Sequence, residues 1–144
     1  MTKNKRGFTI IEMIVTLGIV AMVITMGARV FRASFSRWEA SSGVRTVTAA
    51  MSTARYNAIN MNRSVKFCVE KNRIVLKEKI KTTWQPFTFF DVDANVSLSI
   101  NASPVFSPTG LASPLCTIYV ENRHYKYKIT LSSAGRIKVL KMIG

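Results

Sequence analysis

Hydrophobic positions along the chain fall into three regimes. From Phe8 to Ala28 they form a run of 21 residues whose only charge is Glu12. At about 1.5 Å rise per residue, a helix of that length crosses a hydrocarbon core of roughly 30 Å. From Val44 the apolar residues thin to Val44, Val47, Met51, Ala54 and Ala58, and this 3-4-3-4 spacing describes one face of a helix. Arg45, Thr46, Thr48, Ser52, Thr53, Arg55 and Asn57 lie mostly off the stripe. No proline interrupts residues 8–62. The pattern predicts one long helix, apolar all round in its first half and amphipathic in its second, with the stripe packed on a sheet. Gly43, with Ser41 and Ser42, is a candidate bend. Asn60-Met61-Asn62-Arg63 is the expected exit.

Beyond residue 63 the period changes to two. Val65, Phe67 and Val69 alternate with Lys66, Cys68 and Glu70, Lys71-Asn72 suits a tight turn, and Arg73 to Lys79 reads as the returning strand. Further strands are expected at Trp84–Phe90, Val96–Ile100, Cys116–Val120, Tyr125–Leu131 and Arg136–Leu140. Pro104, Pro108, Gly110 and Pro114 mark a loop around a short Val105-Phe106 strand. In the Tyr125–Leu131 strand, Lys126, Lys128 and Thr130 face outward. The fold class is therefore α+β: a long N-terminal helix on a small antiparallel sheet. The expected segments are a leader at 1–7, a membrane-spanning helix at 8–28, its amphipathic continuation at 29–62 and the sheet domain at 63–144.

The flanks of the apolar run set its direction. Lys3, Lys5 and Arg6 precede it and hold the N-terminus in the cytoplasm, which sends the remainder outward across the inner membrane. Arg29, Arg32 and Arg37, mixed with Phe31, Phe35 and Trp38, suit a headgroup layer or, equally, the solvated face of the emerging helix. Glu12 is the anomaly. A charge inside a membrane helix costs about 2.5–3.5 kcal/mol or more, so a plain anchor would not carry it and a partner is expected.

The stretch Gly7-Phe8-Thr9-Ile10-Ile11-Glu12, behind its basic leader, resembles the class III signal of type IV pilins and type II secretion pseudopilins. The resemblance implies that a prepilin peptidase cuts between Gly7 and Phe8 and methylates the new N-terminal phenylalanine. It also implies that Glu12 pairs with an N-terminal amine as subunits assemble, on an inner-membrane platform, into a pilus or pseudopilus. Other pilins or pseudopilins are then partners through the N-terminal helix, and the membrane holds the subunit before assembly. An ordinary secretory signal would need a small-residue cleavage site after the apolar run, which Ile24-Thr25-Met26-Gly27-Ala28 supplies poorly.

Later blocks extend the resemblance to the GspH/FimT group of minor pilins and pseudopilins. They are Ala54-Arg55-Tyr56-Asn57-Ala58-Ile59 with Val65-Lys66-Phe67-Cys68, then Phe106-Ser107-Pro108-Thr109-Gly110, then the segment from Ile129 to Val139. The group includes both a minor pilin of type IV pili and the minor pseudopilin of type II secretion, and the two roles stay open. Some pilus-side members resemble DNA-uptake proteins of competence, with a C-terminal Gly-Arg-x-Arg that contacts DNA. The match here is Gly135-Arg136-Ile137-Lys138, with lysine last. Alternation turns Ile137 and Val139 inward and projects Arg136 and Lys138 together, and Lys141 is counted with the same patch. Such cations suit the phosphates of double-stranded DNA. They equally suit an edge strand whose lysines discourage aggregation. Tyr119, Tyr125 and Tyr127 read as core residues, because a duplex offers no free bases to stack.

Charge supports an anionic partner without choosing it. Lys and Arg total 21 against 7 Asp and Glu, a net charge of +14. Loss of Lys3, Lys5 and Arg6 with the leader leaves +11. Cys68 and Cys116 show neither zinc spacing nor CxxC. In an oxidising compartment one disulfide is open to them, as is the alternative of two separate buried thiols. Cys68 faces away from Val65, Phe67 and Val69, whereas Cys116 shares a face with Ile118 and Val120. The single His124 has no nucleophile to serve, so enzymatic activity has no support. Asp91-Val92-Asp93-Ala94-Asn95 opens like a calcium loop, but Val96 stands at the required glycine and Ala102 at the closing glutamate. No metal or cofactor is expected.

Overall fold

The structure, a computed structural model, describes residues 9–142 and, among their side chains, all but those of residues 28–30, 32 and 33. Its first element is helix α1, Ile10–Asn60. Thr9 caps it: Oγ1 accepts from the Glu12 amide at 3.3 Å, and the Thr9 carbonyl accepts from the Met13 amide. The helix leaves where the sequence places its exit. Asn62 adopts a left-handed φ of 51°, the Arg63 amide reaches back to the Ala58 carbonyl and the Asn62 amide to the Ile59 carbonyl. These two bonds satisfy carbonyls that the helix end would leave without donors.

The chain divides into two compact units, Met1–Phe35 and Ser36–Gly144. In the first, Ile10–Gly27 is long and apolar enough to cross a membrane, with a mean hydropathy of 2.3. Its large side chains, from Ile10 to Met26, are exposed. Such a face is stable in water only if lipid or another protein covers it.

The second unit contains the helix from Ser36 onward and nine strands: β1 Val65–Glu70, β2 Arg73–Ile80, β3 Thr83–Asp91, β4 Ser97–Ile100, β5 Val105–Phe106, β6 Ala112–Ser113, β7 Cys116–Glu121, β8 Lys126–Leu131 and β9 Ile137–Met142. The single sheet expected from the sequence is two antiparallel sheets, one of five strands in the order β3-β2-β1-β5-β6 and one of four in the order β4-β7-β8-β9. Lys71 and Asn72 both take positive φ in the two-residue turn joining β1 to β2, as its twist requires. The Asn72 side chain also ties that turn to the second sheet. Its Nδ2 donates to the Val96 carbonyl at 2.6 Å, and its Oδ1 accepts from the Leu98 amide at 3.0 Å.

The helical stripe is the centre of the core. Val47, Met51, Ala54 and Ala58 are fully buried, joined by Ala50, and they share one cluster with Val65, Phe67, Ile74, Leu76, Phe106, Ile118, Val120 and Ile129. Gly43 is not a break: the helix runs through it, and the Val96 and Val120 methyls come so close that a Cβ would stand 3.0 and 3.1 Å from them. A strand pair approaches the helix there because no side chain intervenes.

The bridge that the sequence left open to Cys68 and Cys116 is not formed. Both thiols are free and buried. Cys116 lies in the core cluster on β7, in the four-stranded sheet, whereas Cys68 lies on β1 of the other sheet, beside Val75 and outside that cluster. Burial pushes the Cys116 thiol up to about 11.

Candidate functional site

Two places carry the chemistry expected from the sequence. The first is the start of α1. Gly7 and Phe8 lie outside the described residues. Glu12 stands in the first helical turn, exposed, and makes no ion pair among the described residues. Thr9 and Glu12 have the spacing of a capping box, and the Thr9 half of it is formed. The carboxylate thus sits near the positive end of the helix dipole, free to accept from a second donor. Sequence reading assigned Glu12 its membrane anomaly but missed this local relationship, which Thr-x-x-Glu before an apolar run signals.

The second place is the outer face of the four-stranded sheet. Gly135, at φ 75°, closes the β8–β9 turn, with the Ser132 amide donating to the Arg136 carbonyl and the Arg136 amide to Ser132 Oγ. Strand β9 then pairs with β8, Lys138 opposite Thr130, Leu140 opposite Lys128 and Lys141 opposite Tyr127. Period-two alternation puts Arg136 and Lys138 on one face with Lys128 and Lys126 of β8. Lys141 is an odd number of residues from Lys138 and belongs to the opposite face. Its Nζ stands 5.0 Å from the Tyr125 ring centroid, so it does not extend the patch. Lys128 takes that place instead, diagonal to Lys138 across the strand pair.

Arg136 and Lys138 are exposed and Lys128 half-buried, and none of the three makes an ion pair among the described residues. Lys126 is engaged by Glu121 at 2.9 Å and by the Tyr119 ring at 5.5 Å. Tyr119 therefore departs from the core role expected of it. It alternates with Ile118 and Val120 and faces outward, opposite Lys128. Tyr127 does pack against the core. The face thus presents three cations that make no ion pair among the described residues, Lys128 on β8, Lys138 on β9 and Arg136 in the turn before it, an arrangement that suits a row of phosphates or any other anionic surface. Among the described residues no group of three His, Cys, Asp or Glu could hold a metal ion.

Comparison with known proteins bears on the start of α1 and on the fold. Residues 2–28 match the family model described as the prokaryotic N-terminal methylation motif. No curated protein matches the sequence significantly. Among solved structures, the chain is similar to the minor pseudopilin EpsH from the type 2 secretion system of Vibrio cholerae, at a TM-score of 0.59 and 12% identity, covering 72% of this chain and 97% of that one. It is also similar to the type IV minor pilin FimU of Pseudomonas aeruginosa, at a TM-score of 0.62 and 17% identity, covering 72% of this chain and 90% of that one. At these identities the likeness establishes the fold. The chain thus carries the N-terminal methylation motif of prepilins ahead of an α+β domain with the fold of minor pilins and minor pseudopilins.

Proposed function

We propose that this chain is a minor pilin, a structural subunit of a type IV pilus of the GspH/FimT group. It is held in the inner membrane with its N-terminus in the cytoplasm until it is cut after Gly7, methylated on Phe8 and assembled. The observation that carries the reading is the methylation motif over residues 2–28, continuous with a helix whose Ile10–Gly27 segment exposes its apolar side chains. Those side chains leave lipid only if other apolar helices replace it, and lateral packing in a filament supplies them. Assembly asks the chain for anchoring and packing, and neither needs a cofactor.

On this reading the face formed by Lys128, Arg136 and Lys138 contributes contacts to double-stranded DNA drawn in by the pilus. Its support is the resemblance of Gly135-Arg136-Ile137-Lys138 to the Gly-Arg-x-Arg of DNA-uptake proteins, together with the absence of ion pairs at these three residues among the described residues. Contacts of this kind are independent of sequence and weaken with salt. A second reading, a minor pseudopilin serving protein export, is favoured by the likeness to EpsH, nearly the whole of which is covered. A deletion strain scored in parallel for piliation, transformation and secretion separates them. Loss of piliation and transformation with normal secretion is expected, and impaired secretion with normal transformation would overturn the pilus reading.

A further inference from the structure

Carboxylates in this chain are scarce, seven in all, and four of them are matched by cations. Between Ser36 and Met142 there are six, and four of them form ion pairs: Glu70 with Lys77, Glu78 with Arg63, Asp91 with Arg73 and Glu121 with Lys126. Asp93 is exposed and caps its own turn through the Asn95 amide. The sixth, Glu39, is the most buried, with 8% of its surface exposed, and it has no cation among the described residues. Its one hydrogen bond comes from a neutral group, Asn95 Nδ2 at 2.9 Å. A desolvated carboxylate with a single amide donor is unfavourable unless a positive charge completes it. In a chain of net charge +14, the carboxylate least able to do without a cation is one that lacks it.

Glu39 lines a pocket of about 260 Å³ with Ser36, Asn95, Asn122, Arg123 and His124. Its walls are fixed by the fold. Asn122 Nδ2 donates to the Ser36 carbonyl at 2.7 Å, and Asn122 Oδ1 accepts from the His124 and Tyr125 amides. Asn95 holds the β3–β4 connection onto Glu39 in the same way. Two loops are thus pinned to α1 one turn apart, and between them stands a pocket whose one carboxylate, Glu39, shares the walls with Arg123 and His124.

We propose that this pocket receives the ammonium or guanidinium of a lysine or arginine from an adjacent pilin-like subunit, which pairs with Glu39. The unpaired charge of Glu39 selects the occupant: Arg123 lines the same pocket but makes no ion pair with it, a side-chain cation needs one carboxylate, and the described residues offer no cluster of metal ligands. The inference rests on the assembly reading for the neighbour's identity. It assigns Glu39 a docking role separate from that of Glu12.

The test uses the tagged full-length chain in its own strain, co-isolated with the other pilin-like subunits of its machine, and a melt of the same chain in detergent. Glu39→Gln keeps an oxygen for Asn95 and removes the charge. Co-isolation is expected to fall about tenfold or more, the scale at which truncation of a desolvated charge pair acts. The melting temperature is expected to be no lower than that of the wild type. Glu39→Lys is expected to fail likewise and to be restored by one Lys→Glu or Arg→Glu change in a neighbouring subunit. Wild-type co-isolation of Glu39→Gln would overturn the proposal. So would a lowered melting temperature reproduced by Arg123→Gln, since that result places the counter-charge within the chain. Failure of the unmodified chain to co-isolate at all would instead overturn the assembly reading.

Discussion

The Arg55 guanidinium lies against the backbone of Gly135, so close that a Cβ on the glycine would stand 2.9 Å from Nε and 3.0 Å from Cζ. Gly110 takes a similar position on the same side chain, 3.3 Å from Nε by the same measure. One arginine of α1 therefore gathers two turns, at Gly110 and at the start of β9. The segments around Arg55, Gly110 and Gly135 are the three internal blocks on which the family resemblance rests.

Gly135→Ala is expected to destabilise the domain for two reasons. The position has φ 75°, which an L side chain adopts with strain, and the new methyl collides with Arg55. Together these cost about 1–3 kcal/mol. Urea unfolding of the detergent-solubilised chain measures the loss. Arg55→Met relieves only the collision. Because Arg55 Nε is buried without a hydrogen-bond partner, Met at that position removes an unsatisfied donor. The glycine substitution should therefore cost less in the Arg55→Met background than alone. Equal costs in the two backgrounds would show that strain accounts for all of it.

The corrected face of β9 makes the DNA reading sharper. In a gel shift of the full chain in detergent with plasmid DNA, Lys128→Gln, Arg136→Gln and Lys138→Gln should each weaken binding. Each should also lower the slope of log affinity against log salt by about one. Lys141→Gln should leave both unchanged, because that lysine sits over Tyr125 on the other face. A loss at Lys141 equal to that at Lys138 would mean that charge, wherever it lies, governs the binding.

How far the sequence revealed this arrangement depended on the range of the forces involved. Period-two alternation, aromatic enrichment and the turn residues around Val105-Phe106 together located eight of the nine strands, and the stripe from Val47 to Ala58 named the core face of the helix. These signals are local, and the periodic ones repeat every two or every three to four residues. The strand missed was β6, Ala112–Ser113, whose two residues are too few to show a period. It exists because Phe106 and Val105 pair with it across the Ser107–Leu111 turn. The division into two sheets was equally illegible, since pairing order depends on contacts between distant segments. So was the role of Gly43, which reads as a helix breaker until Val96 and Val120 are seen against it. At the basic face, parity alone placed Lys138 and Lys141 on opposite sides. Composition groups them and geometry separates them.

Cys116 gives a pH dependence with a definite sign. Its thiol is raised from an ordinary 9.0 to about 11 by burial. The folded chain then holds its proton more tightly than the unfolded chain does. The associated stabilisation is fully present below pH 9 and is lost as pH rises through about 11. Urea midpoints of the wild type should therefore fall relative to Cys116→Ala between those two values. Alkylation of Cys116 in the native chain at pH 8 should be slow, since only the thiolate reacts. A difference between wild type and variant that stays constant across the window would show that Cys116 titrates normally.

Glu12 stands in the first turn of α1 with its amide on Thr9 Oγ1, so two roles compete for its side chain. In one it completes a capping box and serves the helix start; in the other its negative charge pairs with an N-terminal amine during assembly. Glutamine separates them, because its amide oxygen can still accept a cap hydrogen bond while its charge is zero. If charge pairing is the function, Glu12→Gln and Glu12→Val should both insert in the membrane and both be recovered poorly in sheared filaments. Thr9→Ala, which removes the cap at a cost of about 1 kcal/mol to the first turn, should then be incorporated nearly as well as wild type. If capping is the function, the order reverses: Glu12→Gln assembles, and Thr9→Ala and Glu12→Val do not. The charge-pairing outcome is the expected one, since a cap alone does not account for placing a carboxylate inside an otherwise apolar span, where its cost is several times what a cap contributes.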